Sequence, residues 1–248
     1  MFAIYKKELR SFFITPIGYI FTGVFLALSA LICCYTTLMS SSYDTSTYFT
    51  VMMFAIGVLL PLLTMRLFSE EKKLRTEQLL LTSPVSITGM VLGKFLAALT
   101  VYASSLLVSC INFIPLYAVA AAERGTEGYE YYHIGPVTGE VVGNLIALLL
   151  LGAAFIAIGT FISSLTENQL AAAIITISAI ALLLGIGLVS SLVDNYVVRA
   201  VLSWISVYSR FGNFQNGLFD FAAILYYASI CFVFVFLTVR VYEKRRWN

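Results

Sequence analysis

Six intervals of this 248-residue chain contain no Asp, Glu, Lys or Arg: 11–43, 45–65, 95–122, 141–166, 168–193 and 221–239. The shortest holds 19 residues, and a helix needs about 20 to cross a hydrocarbon core of about 30 Å. Where no water is available, every backbone N–H and C=O must be satisfied within the segment, so such a run forms a helix. Composition agrees with this reading. Hydrophobic residues make up 60% of the chain and charged residues 11%, against about 25% charged in soluble domains. A globule of this size has too little interior to hide so much apolar side chain. The expectation is an all-α polytopic membrane protein, one transmembrane domain over 1–248, with spans at 17–39, 47–66, 90–119, 141–163, 170–192 and 220–240. Only ten residues separate Arg199 from Arg210, so 196–211 reads as a re-entrant or interfacial outer segment. The first run is 33 residues long, where a signal-peptide h-region has about 7–15, so it is expected to stay attached.

The basic residues are one-sided. With an even number of spans, the N-terminus, the loops 66–94 and 164–169 and the C-terminus share a side that holds 12 of the 15 Lys and Arg. The other side has Arg124, Arg199 and Arg210. The positive-inside rule then puts both termini in the cytosol of a bacterial inner (cytoplasmic) membrane. Cys33, Cys34, Cys110 and Cys231 fall within spans and read as small buried hydrophobes. His133 is the only histidine, so no histidine metal cluster is expected. Neither GxxxxGK[ST] nor GxSxG occurs, and the spans hold no His or Glu and only Asp220, at the very edge of the sixth. The chain is therefore expected to be no enzyme, to carry no cofactor of its own and to bind no nucleic acid.

Two stretches on the basic side are ordered enough to do more than anchor. Residues 2–13 place Phe2, Tyr5, Leu9, Phe12 and Phe13 at helical spacing, with Lys7 and Arg10 opposite, which is the pattern of an amphipathic interfacial helix. Pro16 breaks it from the first span. The segment 70–81 reads as a short helix capped by Ser69, with i,i+4 pairs Glu71–Arg75 and Lys73–Glu77 and then Leu79 to Leu81. Pro84 stops it. A short helix pinned between two spans suits docking to a soluble partner. Within the spans no charge sits at a centre, and the polar candidates for a transport path are Ser105, Ser109, Asn112 beside Pro115, and Asn144. Gly152, Ala153, Ala157 and Gly159 read as a packing seam.

The stretch EEKKLRTEQLLLTSPVSITGMVLGKF, Glu70 to Phe95, resembles the coupling segment of ABC-2 type permeases. It is most similar to the branch of the gliding-motility and nitrous-oxide-reductase-maturation permeases. KKELRSFFITPIGYI near the N-terminus, FISSLTENQLAAAI at 161–174 and FLTVRVYEKRRW at the C-terminus agree, in the expected order. The resemblance implies the transmembrane subunit of an ATP-driven ABC transporter, an exporter, with ATP and Mg bound by a separate ABC ATPase. It implies that Glu70, Glu71, Lys72, Lys73, Arg75 and Glu77, with Glu167 and Asn168 in a second contact, couple to that ATPase. A second permease copy or a sister permease would complete the path, with the first and fifth spans as the seam. Ala171, Ala172, Ala173, Gly185 and Gly187 on the fifth span have the small side chains a seam uses. The alternative the branch allows is mechanical: a subunit that transports nothing and moves an auxiliary extracytoplasmic protein.

Overall fold

The computed structural model describes residues 1–39, 43–76, 86–123, 135–190, 195–215, 217 and 220–247, and of Trp247 only the backbone. Every regular element among the described residues is helical. We number them α1 Phe2–Ile14, α2 Pro16–Cys33, α3 Ser46–Thr64, α4 Arg66–Lys73, α5 Ile87–Ser109, α6 Ile114–Glu123, α7 Thr138–Leu165, α8 Gln169–Ser190, α9 Tyr196–Ile205, α10 Val207–Gln215 and α11 Phe221–Trp247. A π-helical turn, Cys34–Leu38, continues α2, and a 3-10 turn, Cys110–Phe113, joins α5 to α6. Among the described residues, six helical runs are long and apolar enough to cross a membrane: Pro16–Leu38, Ser46–Lys73, Ile87–Ala122, Thr138–Leu165, Gln169–Ser190 and Phe221–Arg246. The chain is thus an all-α polytopic membrane protein. The segment 196–211 is two short helices, α9 and the greater part of α10, with a break at Ser206.

Breaks fall where the local chemistry demands them. Thr15 adopts extended backbone (φ −81°, ψ 147°) because Pro16 follows, and Pro16 then occupies the first turn of α2, where its missing N–H costs nothing. Pro61 sits inside α3, one turn before α3 gives way to α4 at Met65, whose backbone stays helical (φ −54°, ψ −33°). The amides of Phe68 and Ser69 lie in the first turn of α4, where backbone donors take partners from outside the helix. Both donate to Ser163 Oγ on α7, each at 3.2 Å, and Ser163 donates back to Met65 O at 3.0 Å. A hydroxyl from another span thereby caps α4.

The centre of the bundle is α7, which packs against α3, α4, α5, α8, α10 and α11. Its small residues make those approaches possible. A Cβ built on Gly152 would overlap the ring of Tyr102, whose hydroxyl donates to Leu148 O at 2.7 Å. A Cβ on Gly159 would overlap Thr64. Gly187 on α8 is closed in the same way by Ser206 and Tyr208 of its own chain, and Ala172 and Ala173 are buried there too. These three are therefore spoken for within the subunit, and the seam expected from them must be redrawn. Gly185 has open space around it, and the outward stripe of α8 is Ile174, Ser178, Ala181, Leu182 and Gly185, with Gly185 half-buried.

Gly152→Val should push Tyr102 out of its slot and cost about 2 kcal/mol by overpacking. Gly143→Ala, where the added methyl meets open space, should be neutral or slightly stabilising. Thermal unfolding of the two purified variants in one detergent checks the contrast.

Candidate functional site

The amphipathic face of α1 meets α5, not lipid alone. Ile4 and Phe12 are buried, while Phe2 and Phe13 point outward with Lys6, Lys7 and Arg10. Gly89 and Gly93, one turn apart on α5, open the groove that receives α1: a Cβ on Gly93 would stand 3.3 Å from Met1 O, Tyr5 N and Ile4 Cγ2. The Tyr5 hydroxyl reaches Thr100 Oγ1 at 3.4 Å. This corrects the expected facing, because Glu8 lies on the inward side.

Glu8 is there to meet Lys94. The ammonium of Lys94 is 1% exposed, and a charge that far from water requires full compensation. It has it. Nζ lies 3.0 Å from Glu8 Oε1 on α1 and 2.9 Å from Glu71 Oε1 on α4, and it donates to Leu67 O at 2.8 Å. The ring of Phe68 stands 5.2 Å below it. Lys7, at the exposed edge, is 3.5 Å from Glu8 and 3.6 Å from Glu71. Two cations and two carboxylates thus balance, and they come from three elements, α1, α4 and α5. Arg66 adds a fourth tie, donating from Nη1 to Thr15 Oγ1 at 3.2 Å while its Nε pairs with Glu70 at 2.9 Å. Phe68 also packs on Tyr242 of α11, ring centroids 5.0 Å apart.

The expected helix at 70–81 is consequently different. It begins at Arg66 and ends at Lys73, and Leu74 to Thr76 form a turn with Arg75 at φ +56°. Ser69 is inside the helix with its hydroxyl on Met65 O, so it is no N-cap. Glu71 faces Lys94 and Lys7 rather than Arg75, and the i,i+4 pair formed is Arg66–Glu70. Glu77, Leu79 to Leu81 and Pro84 lie outside the described residues. Lys72 is buried, whereas Lys73 and Arg75 are exposed beside Leu74 and Thr76. A cavity of about 260 Å³ opens at the same place, between Lys7, Ser11, Arg66, Glu70 and Thr76. Glu167 and Asn168 are exposed in the short connection to α8, whose first turn Asn168 caps through Leu170 N at 3.0 Å.

The expected path residues are held as helix–helix contacts. Ser105 reaches Thr22 Oγ1 at 3.2 Å, Ser109 bonds Leu106 O, and Asn112 donates to Ser29 Oγ at 2.7 Å, which meets the Tyr48 hydroxyl at 3.0 Å. Asn144 stands apart on α7, 1% exposed and with neither amide atom partnered. At the opposite end, Asp220 accepts from Asn213 Nδ2 and from Ala222 N, each at 2.8 Å, which holds its carboxyl below the usual carboxylate range. All four cysteines are free, and the described residues hold no group of three His, Cys, Asp or Glu that could bind a metal.

Lys94, Glu8 and Ser163 carry this site, and none was singled out from sequence. One signal existed: Lys94 is the sole charge between positions 78 and 122. The family whose model is described as ABC-2 family transporter protein matches residues 35–241, that is 207 of 248. No match to a curated protein was found.

Lys94→Met should leave Glu8 and Glu71 facing each other without their cation, at a cost of about 3 kcal/mol. Adding Glu8→Gln and Glu71→Gln should recover more than half of it. Unfolding midpoints for the single and triple variants test this, and additive losses would mean that the three groups do not act as a unit.

Proposed function

The chain belongs to the ABC-2 transporter family and is a permease subunit of such a transporter; we propose that its basic end docks a separate ABC ATPase and relays that partner's closure to the spans. The observation that carries this reading is the position of α4. It continues the second span and is tied to α1 by Arg66–Thr15 and Lys7–Glu71, to α5 by Lys94, to α7 by Ser163 and to α11 by Phe68–Tyr242. A load applied at the exposed turn Leu74 to Thr76 reaches four of the six spans without passing through a flexible joint. Lys73 and Arg75, with Glu167 and Asn168 as the smaller contact, are the groups that meet the ATPase in this reading. Glu71 belongs to the transmission behind them and not to the contact surface.

ATP and Mg reside on the ATPase. The basic end faces the bacterial cytosol, and export is the direction the family resemblance implies. A second permease, either this chain again or a sister, completes the path. The outward stripe Ile174, Ser178, Ala181, Leu182 and Gly185 of α8 supplies the seam in place of Ala172, Ala173 and Gly187.

Reversing both exposed charges, Lys73→Glu with Arg75→Glu, should lower permease-stimulated ATP hydrolysis toward the rate of the free ATPase. The unfolding midpoint of the permease should stay unchanged. Retained stimulation would refute the docking surface. In a background without the native cysteines, Cys at 174, 178 or 185 should crosslink two permeases, and Cys at 172 or 187 should not.

A further inference from the structure

The outer wall of the bundle carries a second, unrelated feature, on the side where α11 meets the first turns of α5. Phe232, Phe236 and Arg240 stand one above the other at i, i+4 and i+8. The two rings lie nearly parallel, 14° between planes with centroids 6.3 Å apart, and the Arg240 guanidinium carbon sits 4.8 Å from the centroid of Phe236. Arg240 Nη1 pairs with Glu243 at 2.7 Å, and both side chains remain open to the surroundings, 61% and 38% exposed. With Leu92 and Thr88 of α5 as the opposing wall and Val235 and Val239 between, this ladder lines a groove of about 430 Å³.

The groove is graded along its length. From Phe232 to Val239 it is wholly apolar, and Arg240 is the first charge after the 19-residue run 221–239. Eight residues from Phe232 to Arg240 rise about 12 Å, which fits within one leaflet's half, about 15 Å, of the hydrocarbon core. The apolar part therefore matches acyl chain, and the charged end falls at headgroup depth. The charges are adjacent and opposite. An arginine has five N–H donors in a planar fork that suits phosphate, and one of them is taken by Glu243. Glu243 in turn offers a carboxylate to a cation, and Thr88 offers a hydroxyl from across the groove. A headgroup with a phosphate and an ammonium side by side answers both charges, whereas an anionic headgroup answers only Arg240.

We infer that this groove is a site for one zwitterionic phospholipid of the bilayer, its acyl chain along Phe232 and Phe236, its phosphate on Arg240 and its ammonium on Glu243. The site is distinct from the ion cluster and from the seam on α8.

Native mass spectrometry of the delipidated full-length permease, titrated separately with phosphatidylethanolamine and phosphatidylglycerol, tests this. One phosphatidylethanolamine should be retained in preference to phosphatidylglycerol. Arg240→Gln should weaken that retention about tenfold, the scale of one charge-assisted contact, and Glu243→Gln should erase the preference between the two lipids. Arg199→Gln, at the other end of the bundle, should change neither. Should the Arg240 variant fail to fold, a phosphatidylethanolamine with a photoreactive acyl chain, applied to the unaltered protein, should mark peptides containing Leu92 and Phe232 to Val239. Equal retention of the two lipids, marks spread over all lipid-facing helices, or a co-purified transmembrane partner seated on Phe232 and Phe236 would each overturn the assignment.

Discussion

Burying the ammonium of Lys94 constrains the whole basic end of this protein. At 1% exposure the charge is tolerable only where carboxylates meet it at contact distance, and here two different helices supply one each. Glu8 comes from α1, packed on α5, and Glu71 from α4, the continuation of the second span. The groove at Gly89 and Gly93 lets α1 approach, and the contacts with Ser163 hold the start of α4. Removing the ammonium would leave two carboxylates confined together, so the cluster holds α1, α4 and α5 in one relative position with a cost for any departure.

The rest of the bundle works by shape. The fourth span forms the centre because it alternates large residues with glycines that admit Tyr102 and Thr64 from its neighbours. Inner hydroxyls are used up on carbonyls one turn back, on a side chain of the next helix or, as with Tyr102 and Ser163, on a neighbouring helix's carbonyl. Such contacts add little affinity between helices individually, but they fix register where lipid supplies no hydrophobic drive. Asn144 is an exception among the described residues, with both amide atoms unpartnered in the interior.

The six spans were legible because charge exclusion over some 20 residues is a global property that no tertiary contact can override. The helix Phe2–Ile14 was legible for its periodicity, yet its inward face was misread, since an apolar stripe looks the same whether it meets lipid or another helix. The helix expected at 70–81 runs instead from Arg66 to Lys73, and the pairing of Glu71 is tertiary: Lys94, 23 positions away, takes the place of Arg75, 4 positions away. Counting Lys94 among the loop charges hid it, although its isolation between positions 78 and 122 was visible. Ser163 could not have been found at all, because a cap supplied by another span leaves no local pattern.

That borrowed cap bears on how the molecule is made. Membrane helices leave the ribosome in order, and α4 emerges roughly ninety positions before Ser163. Until the fourth span has entered the bilayer, the first turn of α4 lacks its hydroxyl, and only the ties to Lys7, Thr15 and Lys94 hold it. The surface assigned to the ATPase is therefore finished late, after the central span is in place. A truncated or half-inserted chain lacks the Ser163 contacts behind the turn that the proposed reading gives to the ATPase.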